Sequence, residues 1–108
     1  MRGRADVYMR HLSDAQIMLA AQRGRALGDP TRVRILDALG RMAQPVGQIA
    51  TTLACDPSTV SKHLQVLFQA GLVERRRSAS TVIYSLRDAA LPAWCRYLAS
   101  PNFGAREK

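Results

Sequence analysis

The chain has 108 residues, 47% of them hydrophobic, and carries sixteen Lys and Arg against eight Asp and Glu, a formal net charge of +8. That length fits one domain and no second, with a core small enough that oligomerisation is a natural way to complete it. The charge favours an anionic partner without choosing among DNA, RNA and membrane headgroups, while no stretch approaches the roughly eighteen apolar residues that a membrane span needs.

Met1-Arg2-Gly3-Arg4 is basic but leads into no apolar run, so no signal peptide is read and a cytoplasmic location is expected. Residues 1–12 read as a basic N-terminal arm, 13–100 as the folded domain and 101–108 as a polar tail. Ser13-Asp14-Ala15-Gln16 has the form of a capping box, in which Ser13 accepts from a first-turn amide and Gln16 reaches back. The helix it opens carries Ile17, Leu19, Ala20, Ala21 and Leu27 and ends near Gly28. Asp29-Pro30 starts a second helix: Asp29 caps it, and Pro30 sits at the first position, where its missing N–H costs nothing. Val33, Ile35, Leu36 and Leu39 supply its buried side, Arg32, Arg34 and Arg41 point elsewhere, and Gly40 to Pro45 breaks the pattern.

A short helix then runs from Val46 to about Ala54, with Ile49 and Leu53 four residues apart and the small Ala50 between them. Asp56-Pro57 repeats the cap-plus-proline signal and opens a fourth helix, on which Val60, Leu64, Leu67 and Phe68 form one apolar stripe. Gly71 closes it. Leu72, Val73, Val82, Ile83, Tyr84 and Leu86 fall in two β-rich runs separated by Arg75-Arg76-Arg77-Ser78-Ala79-Ser80, which predicts a hairpin with a charged tip. A last helix from about Ala89 carries Leu91, Trp94, Cys95 and Leu98 on one face. The expected class is mostly α with a small β-hairpin, a winged helix-turn-helix in the order α-α-α-α-β-β-α.

That order suggests a function. Two helices joined by a tight turn, with a small residue inside the first, form a unit that reads DNA. If the Val60/Leu64/Leu67 stripe holds the second of them to the body, its other face presents Ser58, Thr59, Ser61, Lys62 and Gln65. These groups suit base edges in a major groove, with Lys62 better placed for a phosphate. His63 reads two ways, as a phosphate contact or as a structural histidine at the edge of the core. Arg75, Arg76 and Arg77 follow where a wing meets the duplex backbone or minor groove.

The stretches Ala26-Leu27-Gly28-Asp29-Pro30-Thr31-Arg32-Val33-Arg34-Ile35-Leu36, Ser58 to Leu67, Ala70-Gly71-Leu72-Val73 and Tyr84-Ser85-Leu86 resemble the ArsR/SmtB family of winged-helix repressors, over roughly residues 13–99. The resemblance implies a homodimer joined through the first and last helices, a recognition helix at about 57–70, a wing at about 73–86 and an inverted-repeat DNA operator. The wing turn Ser78-Ala79-Ser80 departs from it by lacking a glycine.

Many members of the family release DNA on binding a metal or metalloid. One such site uses a Cys-x-Cys pair where this chain has Pro45 and Gly47; another needs a histidine where Ala90 stands near Asp88. Neither set of ligands is present, so no cofactor is expected and no metal or metalloid effector at these usual sites, which leaves a soft-metalloid site at Cys95, alone, with its dimer mate or with Cys55, as the alternative. Cys55 and Cys95 read as small buried hydrophobes or, alternatively, as a thiol sensor, with Arg96 available to lower the Cys95 pKa. No catalytic pairing or glycine-rich phosphate loop is seen, so an enzyme is not expected. The second functional class is a winged-helix module for protein or RNA assembly, which would want exposed apolar residues on the 57–70 helix.

Overall fold

A computed structural model describes residues 11–105; the expected basic arm therefore lies outside them over positions 1–10, and the tail over 106–108. The described residues form α1 (Asp14–Leu27), α2 (Pro30–Arg41), β1 (Gln44–Pro45), α3 (Val46–Leu53), α4 (Pro57–Gln69), β2 (Val73–Ser78), β3 (Thr81–Leu86) and α5 (Leu91–Leu98). The order α-α-α-α-β-β-α is as the sequence predicts, with β1 as an addition.

Local chemistry sets the helix boundaries. At α1 both halves of the capping box form: Gln16 N donates to Ser13 Oγ at 3.1 Å, and Ser13 N donates to Gln16 Oε1 at 2.8 Å. Asp29 Oδ1 accepts from the amides of Thr31 (2.8 Å) and Arg32 (3.1 Å) at the start of α2. Asp56 Oδ1 does the same for α4, accepting from the amide and the hydroxyl of Ser58, each at 2.7 Å. At the far end of α4, Gly71 has φ +77, Leu72 N donates to Leu67 O and Gly71 N to Phe68 O, each at 3.0 Å. This is a Schellman stop, and it turns the chain into the hairpin.

The core lies where α2, α3, α4 and the root of the hairpin meet. Ile35, Leu36, Ile49, Val60, Leu64, Leu67 and Val73 are its largest fully buried side chains. The buried Ala50 lets α4 cross close over α3, as the sequence requires. The turn between these two helices is tight because Ala54 adopts left-handed φ 55, ψ 43, with Cys55 N donating to Ala50 O at 3.0 Å.

The sheet has the order β1-β3-β2 and is antiparallel throughout. β1 pairs Gln44 with Tyr84 and Pro45 with Ile83, tying the start of α3 to the wing. Gln44 is buried, and its Nε2 donates to Ala38 O and Met42 O at 3.1 Å each, closing the end of α2. The expectation of a charged hairpin tip needs correction. Arg75, Arg76 and Arg77 lie within edge strand β2, and only Ala79 and Ser80 make the loop between the paired Ser78 and Thr81. An edge strand tolerates long charged side chains, which also discourage pairing with another sheet. Ala79 takes φ 57 at the first loop position, the place a glycine usually fills in a two-residue turn.

The two flanking helices contribute little to this core. Only Ala26 of α1 and Leu91 of α5 are buried, whereas Met18 is 67% and Trp94 66% exposed, with Ile17, Leu19, Tyr97 and Leu98 also exposed.

Candidate nucleic-acid interface

Helix α4 divides cleanly into two faces. Val60, Leu64 and Leu67 have no more than traces of exposed surface, while Ser58, Thr59, Ser61, Lys62 and Gln65 are all exposed. Val66, 40% exposed, is the one large hydrophobic residue on the open side. Ser58 differs from its neighbours because its hydroxyl proton is directed to the Asp56 cap, leaving only acceptor capacity for a ligand.

The wing adjoins α4, and its three arginines do not act alike. Strand alternation sends Arg75 and Arg77 to one face and Arg76 to the other. Arg75 stacks its guanidinium over the Phe68 ring, 3.9 Å from the centroid, and so joins β2 to α4 by a cation–π contact. All three are exposed, and Arg76 and Arg77 stand opposite Ile83 and Val82 in the ladder.

His63 is half-buried, and its Nδ1 lies 3.2 Å from a terminal nitrogen of Arg32. Arg32 is the residue that sequence reading missed. Helical periodicity places it off the buried face of α2, but its partners come from other elements and leave no periodic signal. The amide of Arg32 holds the Asp29 carboxyl below its ordinary range against a cost of desolvation, and the Thr31 amide adds to the lowering. Asp56 is likewise lowered, first by the Ser58 hydroxyl and then by the Ser58 amide.

The two cysteines sit in different places. Cys55 packs against the core in the α3–α4 turn, its Sγ 3.6 Å from Leu53 O. Cys95 lines a cavity of about 290 Å³ between α2 and α5, together with Val33, Leu36, Asp37 and Arg96. Burial pushes the Cys95 thiol up, Asp37 pushes it the same way, and Arg96 only partly opposes them. Arg96 therefore does not make this thiol a ready thiolate.

The two metal positions weighed from the family resemblance carry no set of ligands here. Pro45 stands at the N-cap position of α3 and offers no ligand, Gly47 has no side chain, and Asp88 Oδ1 accepts from the Ala90 amide at 2.9 Å. Among the described residues, no three of His, Cys, Asp and Glu gather into a metal-binding group. Nor, among them, is any helix long and apolar enough to cross a membrane.

Comparison with known proteins agrees with this geometry. Residues 27–76 match the family model described as a helix-turn-helix domain. The transcriptional regulator CmtR of Mycobacterium tuberculosis is 45% identical over 71 residues, which cover 66% of this chain and 60% of that protein. The chain thus spans less than two thirds of that relative. The solution structure of CmtR, described as a cadmium metal-sensor, has a TM-score of 0.65 and 38% identity over 82% of this chain and 92% of that one. The homodimeric winged helix-turn-helix DNA-binding domain of a possible ArsR-family regulator from Mycobacterium bovis has a TM-score of 0.76. It is 30% identical and covers 93% of this chain and 100% of that one. A transcriptional repressor, the SmtB homolog of Synechocystis, is 40% identical over 58% of this chain and 48% of its own length.

Proposed function

Since the chain belongs to the ArsR/SmtB family of winged helix-turn-helix transcriptional regulators, we propose that it is a homodimeric repressor of transcription. It binds duplex DNA at an inverted-repeat operator and works in the cytoplasm. The observation that carries this reading is the polar open side of α4, where Thr59, Ser61, Lys62 and Gln65 are exposed, beside a wing on which Arg76 and Arg77 are exposed on opposite faces of β2. Ser58, Thr59, Ser61 and Gln65 suit base edges, and Lys62, Arg76 and Arg77 suit phosphates. Arg75, also exposed, is held against Phe68, and the half-buried His63 against Arg32. A surface for protein assembly would be apolar, and Val66 alone does not make one.

The dimer forms through α1 and α5, whose exposed Ile17, Met18, Trp94 and Leu98 find no cover among the described residues. The folded unit spans about residues 13–100. A thiol-directed effector would act at Cys95, which lines an open cavity, and not at Cys55 in the packed turn. Cys95→Ser then abolishes operator release by arsenite or peroxide; unchanged release places the effector elsewhere.

Salt titration tests the division of roles. Lys62→Ala or Arg76→Ala weakens binding to all duplexes and lowers the slope of log affinity against log salt by about 0.9. Thr59→Ala or Gln65→Ala instead changes which bases are selected and leaves the slope alone. Variants of both kinds behaving alike would contradict the assignment.

A further inference from the structure

Arg32 stands in the first turn of α2, yet its guanidinium serves two other helices. Its Nε donates to Ala26 O at 2.7 Å, and one terminal nitrogen donates to Arg25 O at 3.1 Å, both at the end of α1. The other terminal nitrogen meets His63 Nδ1 on α4 at 3.2 Å. A guanidinium has donors only, so Nδ1 must accept, which leaves the proton of the neutral ring on Nε2. Asp29 completes the group by accepting the Arg32 amide at 3.1 Å, which fixes the turn from which the side chain departs.

We propose that Arg32 and His63 are positioning residues for operator recognition, a latch joining the middle of α4 to the α1–α2 corner. This rests on the DNA-binding reading above. The Val60, Leu64 and Leu67 stripe holds α4 to the body by contacts that have no preferred direction, so it tolerates a small roll of the helix. A charge-assisted bond at one ring nitrogen does not. His63 is flanked by Lys62 and lies two residues before Gln65, so a roll about the stripe displaces both of those side chains. The end of α4 is secured separately, where α1 donates from Arg23 Nε to Ala70 O at 2.9 Å and from Gln22 Nε2 to Gln69 O at 3.3 Å. The polar ties on α4 thus run from α1 and α2, and sequence discrimination depends on two residues that read no base.

The test is a double-mutant cycle read as the ratio of affinity for a selected operator to affinity for random duplex. Arg32→Ala and His63→Ala should each lower that ratio about tenfold, and the double variant by about the same amount instead of about a hundredfold. The salt slope should not change. His63→Gln, whose amide oxygen can accept from Arg32, should keep most of the discrimination. Multiplying losses overturn the latch, as does a slope lowered by about one in either single variant, the mark of a direct phosphate contact. Should Arg32→Ala fail to fold, His63→Ala against His63→Gln decides, equal losses contradicting the proposal. A wild-type chain that prefers no duplex overturns both this inference and the reading beneath it. Discrimination by wild type that survives intact in His63→Ala overturns the latch alone.

Discussion

Single residues set the ends of the helices, and their chemistry gives two predictions. Asp29 and Asp56 are both held below the ordinary carboxylate range by the helix amides, and in Asp56 by the Ser58 hydroxyl. A carboxylate lowered in the folded state adds stability above its unfolded pKa, and that stability is lost as pH falls through the folded value. Thermal stability should therefore decline on acidification below about pH 4. Asn caps nearly as well without titrating, so Asp56→Asn should lie below wild type at pH 7 and approach it by pH 3. A constant gap across that range would contradict the cause given. At Ala54 the strain is in the backbone. A left-handed alanine costs about 1–2 kcal/mol, and glycine returns about half of that through the entropy of the unfolded chain. Ala54→Gly should raise stability by about 0.5–1 kcal/mol in denaturant unfolding. The caps were legible in the sequence because cap and amide are two or three residues apart. Arg32 was not, since its His63 partner is 31 residues away.

At the scale of elements, what was legible depended on length. Helices of eight residues or more have room for periodicity, and the five predicted from apolar spacing appear, three of them behind the caps at Ser13, Asp29 and Asp56. A strand of two residues has no period, so β1 was invisible; it exists because β3 offers a ladder beside Gln44 and Pro45. The wing arginines were legible as a group but not individually, because strand alternation and the Phe68 ring separate Arg75 from the other two. The α2–α5 contact supplies a further test. A Cβ on Gly40 would lie 3.0 Å from the Pro92 Cγ. Near a helix end glycine is ordinarily the weaker choice, but here Gly40→Ala should lower stability by about 1 kcal/mol by pushing α5 outward. Gly47, with no atom within 4 Å of its added Cβ, is the control; Gly47→Ala should be neutral or slightly stabilising in urea at fixed protein concentration. Equal responses at the two positions would argue against the contact.

For the whole molecule, charge and apolar surface divide the labour. In the proposed function the basic excess of +8 serves a polyanion, and the apolar faces of α1 and α5, exposed among the described residues, serve a second copy of the chain. Trp94→Lys should shift the sedimenting mass from twice 11.9 kDa to that of one chain, with operator affinity falling as the two half-sites are uncoupled. A dimer that persists would place the interface elsewhere. The central claim is that this surface discriminates among DNA sequences, and the most direct measurement compares two affinities at physiological salt. One is for a duplex selected from a random pool and the other for random duplex of the same length. A ratio of about 10³ or more is expected, with a selected sequence that is an inverted repeat with half-sites about one helical turn apart. Equal affinity for the two duplexes would contradict it.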